Sequence, residues 1–77
     1  MADIQSPLPG IFYHQASPEE PPYKTPGDAV AEGDVIGLIE VMKTFIQVTA
    51  ETAGTFVKYT VDSAAPVMAG DTLAEVE

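Results

Sequence analysis

Short apolar runs, broken by Gly, Pro and Asp, recur along the chain. Ile4–Ser6, Gly10–His14, Val35–Glu40, Phe45–Ala50, Gly54–Tyr59 and Thr72–Glu77 are rich in Val, Ile, Thr, Phe and Tyr. Such residues fit a pleated, half-buried surface, so these segments are predicted as six short strands. Short strands at regular spacing with turn residues between them indicate a β-sandwich or barrel. One segment reads two ways. Val35, Ile36, Ile39, Met42, Lys43 and Ile46 also fit a helical stripe. Gly37 and the β-branched Val35, Ile36, Ile39, Val41, Thr44, Ile46, Val48 and Thr49 oppose the helix, because each loses conformational freedom or stability there.

The pattern repeats, and the repeat decides that segment. Asp28–Glu40 resembles Ala65–Glu77: Val30 matches Val67, Gly33-Asp34 matches Gly70-Asp71, and Ile39-Glu40 matches Val76-Glu77, an offset of 37. Pro9–Phe12 matches Ala53–Phe56 at an offset of 44. Two copies are too few for a solenoid and predict a small pseudo-symmetric fold whose halves interlock. The two Gly-Asp pairs mark equivalent turns. Because the second copy ends at Glu77, a strand of the first must end near Glu40. Phe45–Ala50 is then the next strand, with Val41 to Thr44 as the turn. Tight hairpins favour Asn-Gly or Asp-Gly, since their central residues often need φ > 0. Met42-Lys43 at such a tip invites a functional reason, although on the bare sequence Lys43 reads most simply as a solvated surface lysine in a turn.

The offsets differ by 44 − 37 = 7, so the first half carries seven extra residues between Phe12 and Val30. They fall in His14–Pro26, which holds four of the seven prolines. Proline fixes φ and lacks an N–H, so this stretch must protrude as a stiffened loop. On the bare sequence it reads most simply as a tolerated surface insertion.

Composition narrows the classes. A chain of 77 residues makes one small domain with a thin core, and the absence of cysteine excludes disulfides and thiolate metal sites. Twelve acidic residues against three lysines and no arginine give a net charge of −9. Nucleic acids and anionic membranes should repel such a chain. There is no leader-like segment and no apolar stretch near the length of a membrane span, so the expected compartment is cytoplasmic. His14 has no ligand partner at metal-binding spacing, the carboxylates form no acid–base motif, and no glycine-rich phosphate loop is present.

Glu40-Val41-Met42-Lys43 at a hairpin start, with Gly33-Asp34 upstream and Ala53-Gly54-Thr55 downstream, resembles the biotinyl domain of biotin carboxyl carrier proteins. The family motif is commonly Glu-Ala-Met-Lys-Met. Ser6–Tyr13 looks like the family's first strand. Ala16–Tyr23 falls where carriers of multisubunit acetyl-CoA carboxylases have a protruding thumb, and the seven-residue excess lands there independently. The resemblance covers nearly all of residues 1–77. Val41 in place of Ala and Thr44 in place of Met depart from the family pattern. The Ala/Pro-rich linker of longer carriers has no counterpart here. The expectation is an excised domain or a short free-standing carrier, with Met1 favouring the latter.

The resemblance implies an all-β flattened barrel of two four-stranded antiparallel sheets with pseudo-two-fold symmetry. It implies biotin on Lys43. Met42 is expected to pack partly against the barrel, as an apolar side chain would, and Glu40 either to orient the turn or to stand as an exposed strand-end carboxylate. Thumb residues Ser17, Pro18, Glu19, Glu20 and Pro21 are the expected contacts of the cofactor. The implied partners are a biotin carboxylase, a carboxyltransferase acting on an acyl-CoA, with acetyl-CoA for fatty acid biosynthesis the first expectation, and a biotin protein ligase. The chain itself is expected to be a non-catalytic carrier. Two other readings use the same fold: a lipoyl domain, which usually has Asp where Met42 stands, and an unmodified interaction module.

Overall fold

The computed structural model describes residues 2–77. Met1, on which the expectation of a free-standing chain leans, lies outside them. Eight strands follow one another: β1 Ala2–Gln5, β2 Gly10–Tyr13, β3 Ala29–Val30, β4 Val35–Val41, β5 Thr44–Thr49, β6 Gly54–Tyr59, β7 Ala65–Val67 and β8 Thr72–Val76. They form two antiparallel sheets of four, ordered β1-β8-β6-β3 and β5-β4-β2-β7. Exchanging β1 with β5, β2 with β6, β3 with β7 and β4 with β8 turns one order into the other. The duplication in the sequence is therefore a pseudo-two-fold axis that swaps the sheets. The helical alternative for Val35–Ile46 is excluded, since these residues form β4, a turn and most of β5.

The core obeys the same exchange. Phe12 and Phe56, Val30 and Val67, Ile36 and Leu73, Ile39 and Val76, and Ile4 and Val48 are all buried, each pair at one of the two sequence offsets. Close packing at the crossings explains Gly10 and Gly54. A Cβ on Gly10 would stand 2.5 Å from Ile39 Cγ2 and 2.7 Å from the Glu40 carbonyl. One on Gly54 would stand 2.5 Å from the Glu77 carbonyl and 2.7 Å from Val76 Cγ1. Neither backbone oxygen can step aside, so only glycine fits at either place.

The paired turns are also equivalent. Asp34 accepts the Ala31 N–H on its Oδ2 at 2.8 Å and donates its own N–H to the Ala31 carbonyl at 3.0 Å. Asp71 does the same with Met68 at 2.8 and 3.0 Å. Side-chain capture of a nearby N–H is what Asp offers at a turn. β3 and β7 were not foreseen as strands. They have two and three residues, and Pro66 sits inside β7. As sheet edges they need to pair on one side only, which is where proline is tolerated.

Candidate functional site

β4 and β5 make the longest ladder in the molecule, running from Val35↔Thr49 to Val41↔Thr44. The turn between them thus has two central residues, Met42 and Lys43. Their φ values are 51° and 68°. Two left-handed residues are the signature of a type I′ turn, whose twist matches that of the strands it joins. For non-glycine residues this costs about 1 kcal/mol or more each, which the ladder beneath must offset. Below the tip the stem is anchored: Ile39 is fully buried and Val41 packs on the core.

Such a turn throws both side chains outward. Lys43 is exposed. Met42 is 94 % exposed and does not pack against the barrel as expected, because the left-handed tip points it into solvent. The three lysines now separate. Lys24 is committed: its Nζ donates to the Ala29 carbonyl at 2.9 Å and to Asp34 Oδ2 at 3.1 Å, the one ion pair among the described residues. Lys58 lies within β6. Lys43 alone stands at a tip, as a flexible primary amine on a rigid support.

Glu40 is half-buried and accepts a hydrogen bond from the Tyr13 hydroxyl on Oε1 at 3.0 Å. That bond holds the Tyr13 phenol above its ordinary pKa, and burial and the carboxylate's charge push the same way. The Tyr13 ring is tilted against Phe45 at 6.2 Å between centroids. So Tyr13 touches both strands of the hairpin, at residues just before and just after the tip.

The proline-rich segment forms a loop pinned at its root. Tyr23 N–H donates to the His14 carbonyl at 2.9 Å, and Glu20 N–H to the Ser17 carbonyl at 3.0 Å. His14 stacks on Tyr59 at 3.8 Å with rings 9° from parallel. Its backbone N–H donates to Ser63 Oγ at 3.1 Å, and its Nε2 lies 2.7 Å from the Val61 carbonyl. Tyr59 in turn donates to the Ile36 carbonyl at 2.8 Å and accepts the Lys24 N–H at 3.3 Å. Burial pushes the Tyr59 hydroxyl up to about 12. His14 is thus the pin of the loop.

Between this loop and the hairpin stem lies a cleft of about 430 Å³. Tyr13, Phe45, Ala16, Pro18 and Ala64 give it apolar walls, and Gln15, Ser17 and Ser63 supply neutral polar groups. None of these lining side chains carries a charge. Of the five thumb residues expected at the site, Ser17 and Pro18 line the cleft, whereas Glu19, Glu20 and Pro21 are exposed and do not. Tyr13, Gln15, Phe45, Ser63 and Ala64 were not foreseen. Tyr13 and Phe45 carried a faint signal as aromatic residues on the outward-facing positions of strands. Ser63 and Ala64 carried none.

Lys43 is thus an exposed amine on a rigid tip, and Phe45, two residues on, lines a neutral, part-apolar cleft. A family model described as "Biotin-requiring enzyme", of the biotin/lipoyl type, matches residues 2–77. The biotin carboxyl carrier protein of acetyl-CoA carboxylase from Chlamydia muridarum is 38 % identical over 73 residues, covering 95 % of this chain and 45 % of that protein. The chloroplastic biotin carboxyl carrier protein of acetyl-CoA carboxylase 2 from Arabidopsis thaliana is 36 % identical over 64 residues, covering 83 % of this chain and 25 % of that protein. This chain therefore spans less than half the length of either relative. Among solved structures, the Kluyveromyces lactis urea carboxylase matches with a TM-score of 0.79 and 29 % identity over 99 % of this chain and 6 % of that one. With a family model matched along all of its described length, the chain belongs to the biotin/lipoyl family of biotin-requiring enzymes.

Proposed function

We propose that this domain is a biotin carboxyl carrier and that Lys43 is its attachment point. The observation that carries the reading is the placement of Lys43: exposed, at a two-residue left-handed tip, two residues before Phe45, which lines an uncharged cleft. Formation of an amide at Nζ removes the lysine's charge and makes the net charge of −9 one unit more negative. When bound, the cofactor supplies a ureido nitrogen able to carry a CO₂ unit. The chain's own task is mechanical. The hairpin holds the arm's base fixed, and tethering keeps the cofactor at high effective concentration for successive active sites. On this reading Ser17 and Ser63, which line the cleft with Tyr13 and Phe45, would offer hydroxyls to a urea-like ring that enters it.

On this reading the partners are a biotin carboxylase, a carboxyltransferase and a biotin protein ligase. The domain performs no catalysis alone. The names of the Chlamydia and Arabidopsis relatives support acetyl-CoA as the acyl acceptor, and hence fatty acid biosynthesis. The thumb-like loop supports the same choice. The cytoplasm is the proposed compartment, supported by the lack of cysteine.

The test is intact-mass analysis after coexpression with a biotin ligase. One biotinyl group per chain is expected, and none on Lys43→Arg. An adduct that persists on Lys43→Arg would place the modification on Lys24 or Lys58 and sink the assignment. Lipoylation by a lipoate ligase without biotinylation would replace the carrier reading with the lipoyl one.

A further inference from the structure

Tyr13 joins the root of the thumb to the hairpin stem just below its tip. Tyr13 is the last residue of β2, and His14, the root of the thumb, follows it directly. Across the sheet Tyr13 faces Leu38, while Glu40 faces Ile11 on one side and Phe45 on the other. Tyr13 and Glu40 are therefore diagonal neighbours, a separation that an aromatic and a long side chain can bridge. The hydroxyl closes on Glu40 at 3.0 Å, and the ring rests on Phe45 at 6.2 Å. Leu38, which shares Tyr13's outer face and takes no part in the core cluster, is nonetheless buried. Here the outer face of the sheet is itself packed, so the contact is not a loose surface one.

We propose that Tyr13 is a positioning residue that couples the thumb to the lysine hairpin, through its hydrogen bond to Glu40 and its ring contact with Phe45. This deepens the carrier reading, on which its purpose rests. The arm leaves from Lys43 and the cleft lies under the thumb, so the tie fixes the start of the arm relative to its resting place. The second half has no such tie: at the offset of 44 the counterpart of Tyr13 is Val57, which carries no hydroxyl.

The coupling is measurable on the unmodified domain by amide hydrogen exchange and 15N relaxation. Glu40→Ala removes an acceptor from the hairpin stem and touches no thumb residue. It should nevertheless speed exchange at the thumb amides of Glu20 and Tyr23 by about three- to tenfold, the equilibrium equivalent of one net hydrogen bond. Tyr13→Phe should produce the same change and should also loosen Met42 and Lys43. The double variant should add little to either single one, and Glu40→Gln, which keeps an acceptor oxygen, should behave like the parent. The proposal is overturned if Glu40→Ala changes the hairpin but leaves Glu20 and Tyr23 as they were, or if Glu40→Gln is as disruptive as Glu40→Ala. Because these readouts need no cofactor, a failure here is distinguishable from a failure of Lys43 to accept biotin, which the mass analysis reports separately.

Discussion

The two halves of the chain build equivalent strands, equivalent turns and equivalent core contacts, and then differ at three places. Tyr13 on β2 reaches Glu40 beside the Met42-Lys43 tip, whereas its counterpart Val57 on β6 has no hydroxyl to do so. The connection from β2 to β3 carries the thumb, whereas the one from β6 to β7 is short. Asp34 holds Lys24 as well as its turn, and Asp71 holds only its turn. Each departure adds something the barrel does not need for closure, and the first two frame the cleft and the lysine. The parts that obey the exchange are the scaffold. The parts that break it are where function was added to one copy.

The strongest test of this division is to damage the scaffold equally on both sides. Phe12 and Phe56 are 0 % and 1 % exposed, and both rings pack on Tyr59. Truncating a buried Phe costs about 3–5 kcal/mol. A domain of this length has a total stability on the order of 4–12 kcal/mol. Phe12→Ala and Phe56→Ala should therefore each remove a large share of it, and by similar amounts, in urea unfolding followed by circular dichroism. A much smaller loss for Phe12 would mean that the thumb side can collapse around the hole, and that the halves are not mechanically equivalent.

What the sequence revealed follows the same line. The paired offsets exposed the pseudo-symmetry and located the hairpin, because duplicated turns such as Gly33-Asp34 and Gly70-Asp71 leave the same local mark twice. The short edges β3 and β7 left none, since two or three residues held by pairing alone have no period of their own. β1 was expected over Ile4–Ser6 but runs Ala2–Gln5. Ser6 instead turns inward, donating its N–H to the Asp71 carbonyl at 2.8 Å. At the site, Lys43 was legible from its neighbours in sequence. The cleft was not, because Tyr13, Phe45, Ser63 and Ala64 come from three separate parts of the chain and meet only through strand pairing. Met42 was expected against the barrel because an apolar side chain ordinarily is. The φ of the tip overruled its hydrophobicity.

A smaller difference should separate the two turn aspartates. Asp34 is held below the usual carboxylate range first by the Ala31 N–H and then by Lys24. A lowered folded-state pKa means that its contribution is complete above the ordinary carboxylate value and is lost as pH falls through the folded value. Asp34→Ala should lower Tm by several degrees near neutral pH, and Asp71→Ala, which gives up one turn without an ion pair, by less. In strong acid the gap between the parent and Asp34→Ala should close, because protonation has already released Lys24 and the turn. An equal gap at all pH values would show that the loss is one of packing and not of the carboxylate.

The smallest effect lies where the halves match in backbone and differ in residue. Gly27 and Ala64 occupy equivalent left-handed positions, with φ of 96° and 66°. Gly27 N–H donates to the Phe56 carbonyl at 2.9 Å, and Ala64 N–H to the Phe12 carbonyl at 2.6 Å. A Cβ on Gly27 would meet nothing within 4 Å, so Gly27→Ala should cost only backbone conformation, about 1 kcal/mol. Ala64→Gly relieves a strain of that kind but frees the unfolded chain, which returns roughly 0.4–1 kcal/mol, so the net should be a gain of a few tenths at most. Paired urea midpoints would read both. A loss on Ala64→Gly as large as that on Gly27→Ala would mean that the methyl holds something in place. Since Ala64 lines the cleft, it would then pass from the shared scaffold to the parts added for function.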